Sequence, residues 1–124
     1  MRLVRAGSVE PQPEEWLRPG GTYRRHSEDL LSGGGLPFDI ERVTLKPGET
    51  NWPYHAHSAM WEVYFVDRGR GTVRSPEGET PVGPGDWFVH PPGEPHCMMN
   101  PGPEDLIYVV IADNAADRTT IHSG

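Results

Sequence analysis

A single cysteine, Cys97, in 124 residues excludes an intramolecular disulfide framework and suits a reducing compartment. Long apolar runs are missing too: no stretch approaches the ~20 residues of a spanning helix. The amino-terminal MRLVRAGSVEPQPEEW lacks the apolar segment of a signal peptide, so a cytoplasmic location is expected. Cationic clusters are also absent, since 11 Lys and Arg stand against 18 Asp and Glu for a formal net charge of −7. A nucleic-acid partner needs several cationic phosphate contacts and is not expected, nor is an anionic membrane.

Gly and Pro, by contrast, are plentiful at 15 and 14 residues, about twice ordinary usage. Between Phe38 and Asp113 they separate short β-branched and aromatic runs at 40–45, 60–66, 72–75, 86–90, 96–99 and 106–112. The connecting KPGE, DRGRG, PEGE and PVGPG read as turns. This pattern predicts one all-β domain, either a sandwich or a closed barrel of short antiparallel strands. Residues 1–36 read as an irregular arm ending in Gly33, Gly34 and Gly35, in which Ser27 could cap a short helix at 27–31. Its Trp16 and Tyr23 need burial against the barrel or, the preferred expectation, against a second subunit. Residues 37–113 form the barrel, and residues 114–124 form a tail that wraps the outside or frays.

Chemistry concentrates at four side chains. In an extended chain residues two apart share a side, so His55 and His57 project together while Ala56 faces away. The same alternation sets Glu62, Tyr64 and Val66 on one face and Trp61, Val63 and Phe65 on the other. A carboxylate on a half-buried strand is costly unless its charge is compensated, which a divalent cation does directly. His96, on a second strand with Met98, can complete the set, with Cys97 and Met99 turned away. An isolated His-x-His pair is weak evidence; the added carboxylate and distant His make it specific.

These residues lie in two spaced motifs. Gly48 is followed by six residues, His55, Ala56, His57, four residues, Glu62, six residues and Gly69. Gly85 is followed by five residues, Pro91, Pro92, Gly93, two residues, His96, three residues and Asn100. The pair resembles the two cupin motifs over about residues 38–113, with one extra residue near Trp52 and Pro53. The resemblance implies a cupin jelly-roll β-barrel with His55, His57, Glu62 and His96 as ligands of one ion inside it. Three imidazoles and a carboxylate suit Fe, Mn, Ni, Zn, Cu or Co. It also supports the expected homodimer.

Trp52, Tyr64, Phe88, Met98 and Tyr108 are candidate pocket residues, and Tyr64, on the side of Glu62, is the candidate catalytic proton donor. Cys97 reads as a packed residue, His26 and His90 as surface or hydrogen-bonded residues. Arg42 and Arg74 could meet a carboxylate-bearing substrate if they point inward. The expected function is a metal-dependent enzyme, dioxygenase or isomerase, acting on a small polar molecule; the alternative is a non-catalytic module binding a sugar or carboxylate. A closed, purely structural zinc site is a third possibility.

Overall fold

Short runs of β-branched and aromatic residues between Gly and Pro turns produce eleven strands among the residues described by the computed structural model, 1–113 and 116–122. They are β1 (Gln12–Arg18), β2 (Gly21–Leu31), β3 (Phe38–Leu45), β4 (His55–His57), β5 (Glu62–Arg68) and β6 (Gly71–Ser75), followed by β7 (Gly78–Val82), β8 (Trp87–His90), β9 (Cys97–Met99), β10 (Leu106–Asp113) and β11 (Thr119–Ile121). A six-stranded sheet has the order β1-β2-β3-β10-β5-β8, a three-stranded sheet the order β7-β6-β9, and β11 pairs with β4. All these pairings are antiparallel. No helix is present among the described residues, and hence none long and apolar enough to cross a membrane.

Alternation places the core. Along β10, Leu106, Tyr108, Val110 and Ala112 are buried and the residues between them only half-buried. With Val43 and Leu45 of β3, Tyr64 and Val66 of β5, Val73 of β6 and Met98 of β9, the β10 residues form one apolar cluster between the large sheet and the smaller one. This is the jelly-roll arrangement, in which two sheets close over a shared interior. Asn100 fixes one end: its side-chain amide donates to the carbonyls of Leu45 and Glu104 at 2.8 Å each, and its carbonyl accepts from Gly102 N.

Two expectations for the amino-terminal segment are corrected. Residues 12–31 are not irregular; β1 and β2 form a hairpin that extends the large sheet. The strand signal was masked because opposite charges replace apolar pairs across it, Glu14 facing Arg25 and Glu15 facing Arg24. Pro13 is tolerated because β1 is an edge. Nor is there a helix at 27–31: Ser27 pairs with Gln12 on one side and Val43 on the other, and ladders on both sides of β2 outcompete a single marginal turn. Trp16 packs on the chain's own Trp52 with ring centroids 4.4 Å apart, rather than waiting for a second subunit.

Two further strands lie where turns or tail were expected. β7 occupies residues read as parts of two turns, and the described part of the tail supplies β11. Tail residues 114, 115, 123 and 124 lie outside the described residues.

Candidate metal centre

β4 carries His55 and His57, Glu62 opens β5, and His96 directly precedes β9. Reciprocal backbone hydrogen bonds lock His96 beside His55, at 2.8 and 3.2 Å. One donor atom from each of His55, His57, Glu62 and His96 lies within 4.8 Å of all the others, so the four could hold a metal ion. Glu62 Oε1 is 2.8 Å from His96 Nε2 and 3.2 Å from His57 Nε2.

What aims the rings is the opposite nitrogen. His55 Nδ1 meets the Pro53 carbonyl at 2.7 Å, His96 Nδ1 the Glu94 carbonyl at 2.9 Å, and His57 Nδ1 the Asp117 carboxylate at 2.9 Å. All three partners are acceptors, so each Nδ1 can donate to its own partner, which turns the Nε2 of each ring toward the centre. Lone pairs at those positions beside a carboxylate repel one another unless a proton or a cation lies between them. Outer hydrogen bonds of this type orient metal-binding imidazoles. On this donor chemistry the residues fit a divalent ion.

The electrostatics agree. Burial, aided by neighbouring His96, holds His55 down to about 4, which keeps it neutral. The hydrogen bond to Glu62 raises His57 despite burial, and Asp117 adds to the effect. Burial alone would raise Glu62, yet hydrogen bonds from His57 and His96 outweigh it and hold the carboxyl well below its usual range.

Beside the centre is a cavity of about 370 Å³ bordered by His55, His57 and Glu62. Of the candidate pocket residues, Trp52, Tyr64 and Tyr108 line it. Phe88 and Met98 do not: Phe88 stacks behind Tyr64 at 5.0 Å, and Met98 is sealed in the core. Burial holds Tyr64 well above its normal pKa, so it stays protonated. Tyr108 also lines this cavity, and its buried hydroxyl meets no partner in hydrogen-bond geometry, although Asn51 is near it. Neither strand arginine considered from the sequence reaches the cavity, since Arg42 pairs with Glu28 and Arg74 lies over Tyr54. Arg25 does reach it, held by Glu14 at 3.1 Å and Glu41 at 3.8 Å.

The cupin domain pattern matches residues 41–112 of this sequence. The chain belongs to the cupin family. Among curated relatives, this cupin is 26% identical to the oxalate-binding protein of Thermotoga maritima over 112 residues, 88% of this chain and 91% of that protein. It is 37% identical to a dimethylsulfoniopropionate lyase of Ruegeria pomeroyi over 73 residues, which are 54% of this chain and only 35% of the lyase. A sugar phosphate isomerase structure from Silicibacter pomeroyi superposes with a TM-score of 0.84 at 24% identity, covering 99% of this chain and 83% of that one, a likeness of fold.

Three residues of this centre escaped the sequence. Asp117 is 60 positions from His57, and no local pattern announces it; besides His57 it accepts from Ala59 N and Met60 N. Arg25 was hidden in a segment read as irregular. His90, read as a surface or hydrogen-bonded residue, is the second, its Nδ1 meeting Glu94 Oε1 at 3.1 Å; what escaped is that its ring is buried and stacks on His96 at 3.9 Å and 7°. The β8 alternation that turns Phe88 inward does the same for His90, which was the available signal.

Asp117→Asn should weaken metal binding about 10- to 100-fold with little change in fold, because His57 loses a charged orienting partner. Competition with a calibrated chelator measures this; unchanged affinity would disprove the orienting role.

Acid should act in two stages. His57 in the metal-free cupin holds its proton above pH 6.5, so affinity begins to fall, by about tenfold per pH unit, as pH drops below that raised value. His55 adds its own proton only near pH 4. Its lowered pKa also makes the metal-free fold acid-sensitive, since the unfolded chain takes up that proton near 6.5. About 3 kcal/mol is therefore lost between pH 6.5 and 4. Glu62, depressed, adds stability above about pH 4.5 that is lost in stronger acid, while His57, raised, adds stability that is lost only as pH rises through its folded value. Urea midpoints in chelator across this range test the sign.

Proposed function

We propose that this cupin holds one divalent transition metal ion (Fe, Mn, Ni, Zn, Cu or Co) on His55, His57, Glu62 and His96, and uses it as a metal-dependent enzyme of dioxygenase or isomerase type. The substrate is a small polar molecule admitted to the adjoining cavity. The observation that carries this reading is the commitment of all three imidazole Nδ1 atoms to acceptors, which leaves the Nε2 atoms gathered about the Glu62 carboxylate, where a cation could replace the proton between them. A bound ion would supply Lewis-acid polarisation or a site for oxygen. Because three of the four donors border the cavity, that side favours an open centre over a closed structural zinc.

The cavity wall suggests how a substrate is held. Tyr64 and Tyr108 both keep their protons, so they serve as hydrogen-bond donors to substrate oxygens rather than as bases. Arg25 offers positive charge, but Glu41 and Asp39 line the same space. A phosphate clamp of several free cations is not built here, which favours a neutral or weakly charged, oxygen-rich molecule over a sugar phosphate. Trp16 and Trp52 close one side, where a flat apolar face limits water.

A second reading is binding without turnover, favoured by the similarity to the oxalate-binding protein over most of both chains. Elemental analysis of protein purified without a metal-affinity tag tests the shared premise; a chain that neither carries nor takes up a stoichiometric divalent ion would end both readings. Oxygen consumption or product formation with small hydroxy and keto acids then supports the enzyme, and saturable binding without product supports the binder. Tyr108→Phe should leave metal content unchanged and weaken oxalate, measured by calorimetry on the loaded protein, about tenfold.

A further inference from the structure

Arg74, which does not reach the metal cavity, borders a second cavity of about 440 Å³. Its walls come from four parts of the chain that only the fold brings together: Arg18 and Tyr23 from the β1-β2 hairpin, Tyr54 just before β4, Arg74 on β6 and His122 just after β11. Among the described residues no acidic side chain lines it. In a chain of net charge −7 that is an uncommon concentration of one sign.

Both arginines are held by aromatic rings instead of by carboxylates. Arg74 lies over Tyr54, 4.2 Å from the ring centroid, and Arg18 over Trp52 at 5.2 Å. A guanidinium on a ring face is fixed in place while the N–H donors around its edge stay unspent. Arg18 gives one of them to the Leu17 carbonyl at 2.8 Å, and Arg74 gives none to any partner among the described residues. Neither has a carboxylate within ion-pair distance there, whereas Arg24, Arg25 and Arg42 are each paired with a glutamate. Glu79 stands opposite Arg74 in the β6-β7 ladder, yet it makes no ion pair with it and borders only the adjoining space beside Cys97. His122 is fixed in the same wall, its backbone N donating to the Tyr54 carbonyl at 2.6 Å.

We propose that this cleft is a second ligand site, which takes the phosphoryl group of a small organic phosphate monoester. Guanidinium edges match the oxygens of an oxyanion, and two of them beside an imidazole favour a dianion over a single carboxylate. Tyr54, Pro53 and Ile121 supply apolar surface in the same cleft for a short organic portion. The metal cavity has no clamp of free cations; this cleft has two. None of the four metal donors lines it, so the site stands independently of the ion. Trp52, which carries Arg18, also lines the metal cavity, so the residue that holds one end of the anion site is part of that cavity's wall.

Isothermal titration of the full chain with phenyl phosphate tests this, with inorganic phosphate and acetate as the comparison anions. The expected result is saturable binding of phenyl phosphate with Kd below about 1 mM, inorganic phosphate weaker and acetate weaker still. Arg74→Gln and Arg18→Gln should each weaken phenyl phosphate at least tenfold, and added sodium chloride should weaken it in the wild type. Arg24→Gln, which removes the same charge from an exposed pair with Glu15, should leave it unchanged, as should stripping the metal with chelator. The proposal is overturned by no saturable binding up to about 10 mM, by binding that survives both Arg18→Gln and Arg74→Gln, or by binding that disappears with the metal. Acetate bound as tightly as phenyl phosphate overturns the phosphate assignment. Circular dichroism checks that each variant is folded; Arg18 is exposed, so its variant and the wild-type salt dependence decide even if Arg74→Gln misfolds.

Discussion

His96→Ala should yield a folded barrel with little or no bound metal. His96 is 2% exposed, supplies one of the four converging donors, and is held against β4 by reciprocal backbone bonds that do not involve its ring. Deleting the ring therefore removes a ligand without removing the strand contact that positions it. The loss in affinity should exceed the 10- to 100-fold expected for an outer partner such as Asp117. Stability should also fall, by roughly 2–3 kcal/mol, because His90 and Glu62 lose a packed and hydrogen-bonded neighbour. The main cluster from Val43 to Val110 does not include His96 and should persist. Metal analysis paired with far-ultraviolet circular dichroism provides the check. Full occupancy in His96→Ala, or in the parallel His55→Ala, would remove the basis of the assignment.

Gly69→Ala should destabilise the protein by roughly 3 kcal/mol, far more than the same change at Gly48. Both glycines are left-handed, with φ of +77° and +84°, so both variants incur backbone strain. At Gly48 a methyl group would meet nothing within 4 Å, whereas at Gly69 it would run into the backbone carbonyl of Asp105. Backbone cannot swing aside as a side chain can, and this turn joins β5 to β6 beside the start of β10. Urea titrations of the two variants isolate the steric part; equal losses would show that strain alone matters. The glycine that closes the first motif is thus explained by a close approach of two chain segments and not merely by a turn.

The cupin barrel was legible because its central strands are half-buried on one face and their turns need Gly and Pro. Period-two alternation in β5 set Tyr64 and Val66 on the face of Glu62, and both are buried; the same period in β10 buries Tyr108 and Val110. The hairpin of β1 and β2 was not legible, since its cross-strand partners are charged and the pairing exists only once both strands are assembled. Phe88 was placed in the pocket as an aromatic face, and Met98 because alternation sets it on the side of His96. Facing inward is not the same as facing the cavity, and both fill space behind it.

By itself the sequence singled out the four candidate donors: two histidines two apart must share a side, which is a local property, and the two spaced motifs with their Gly and Pro punctuation added Glu62 and His96. Only the tertiary structure decided the rest of the site. Asp117 behind His57, His90 against His96 and Arg25 in the wall all depend on which strands become neighbours. That choice is made by long-range antiparallel pairing, and no periodicity within a single strand encodes its partner.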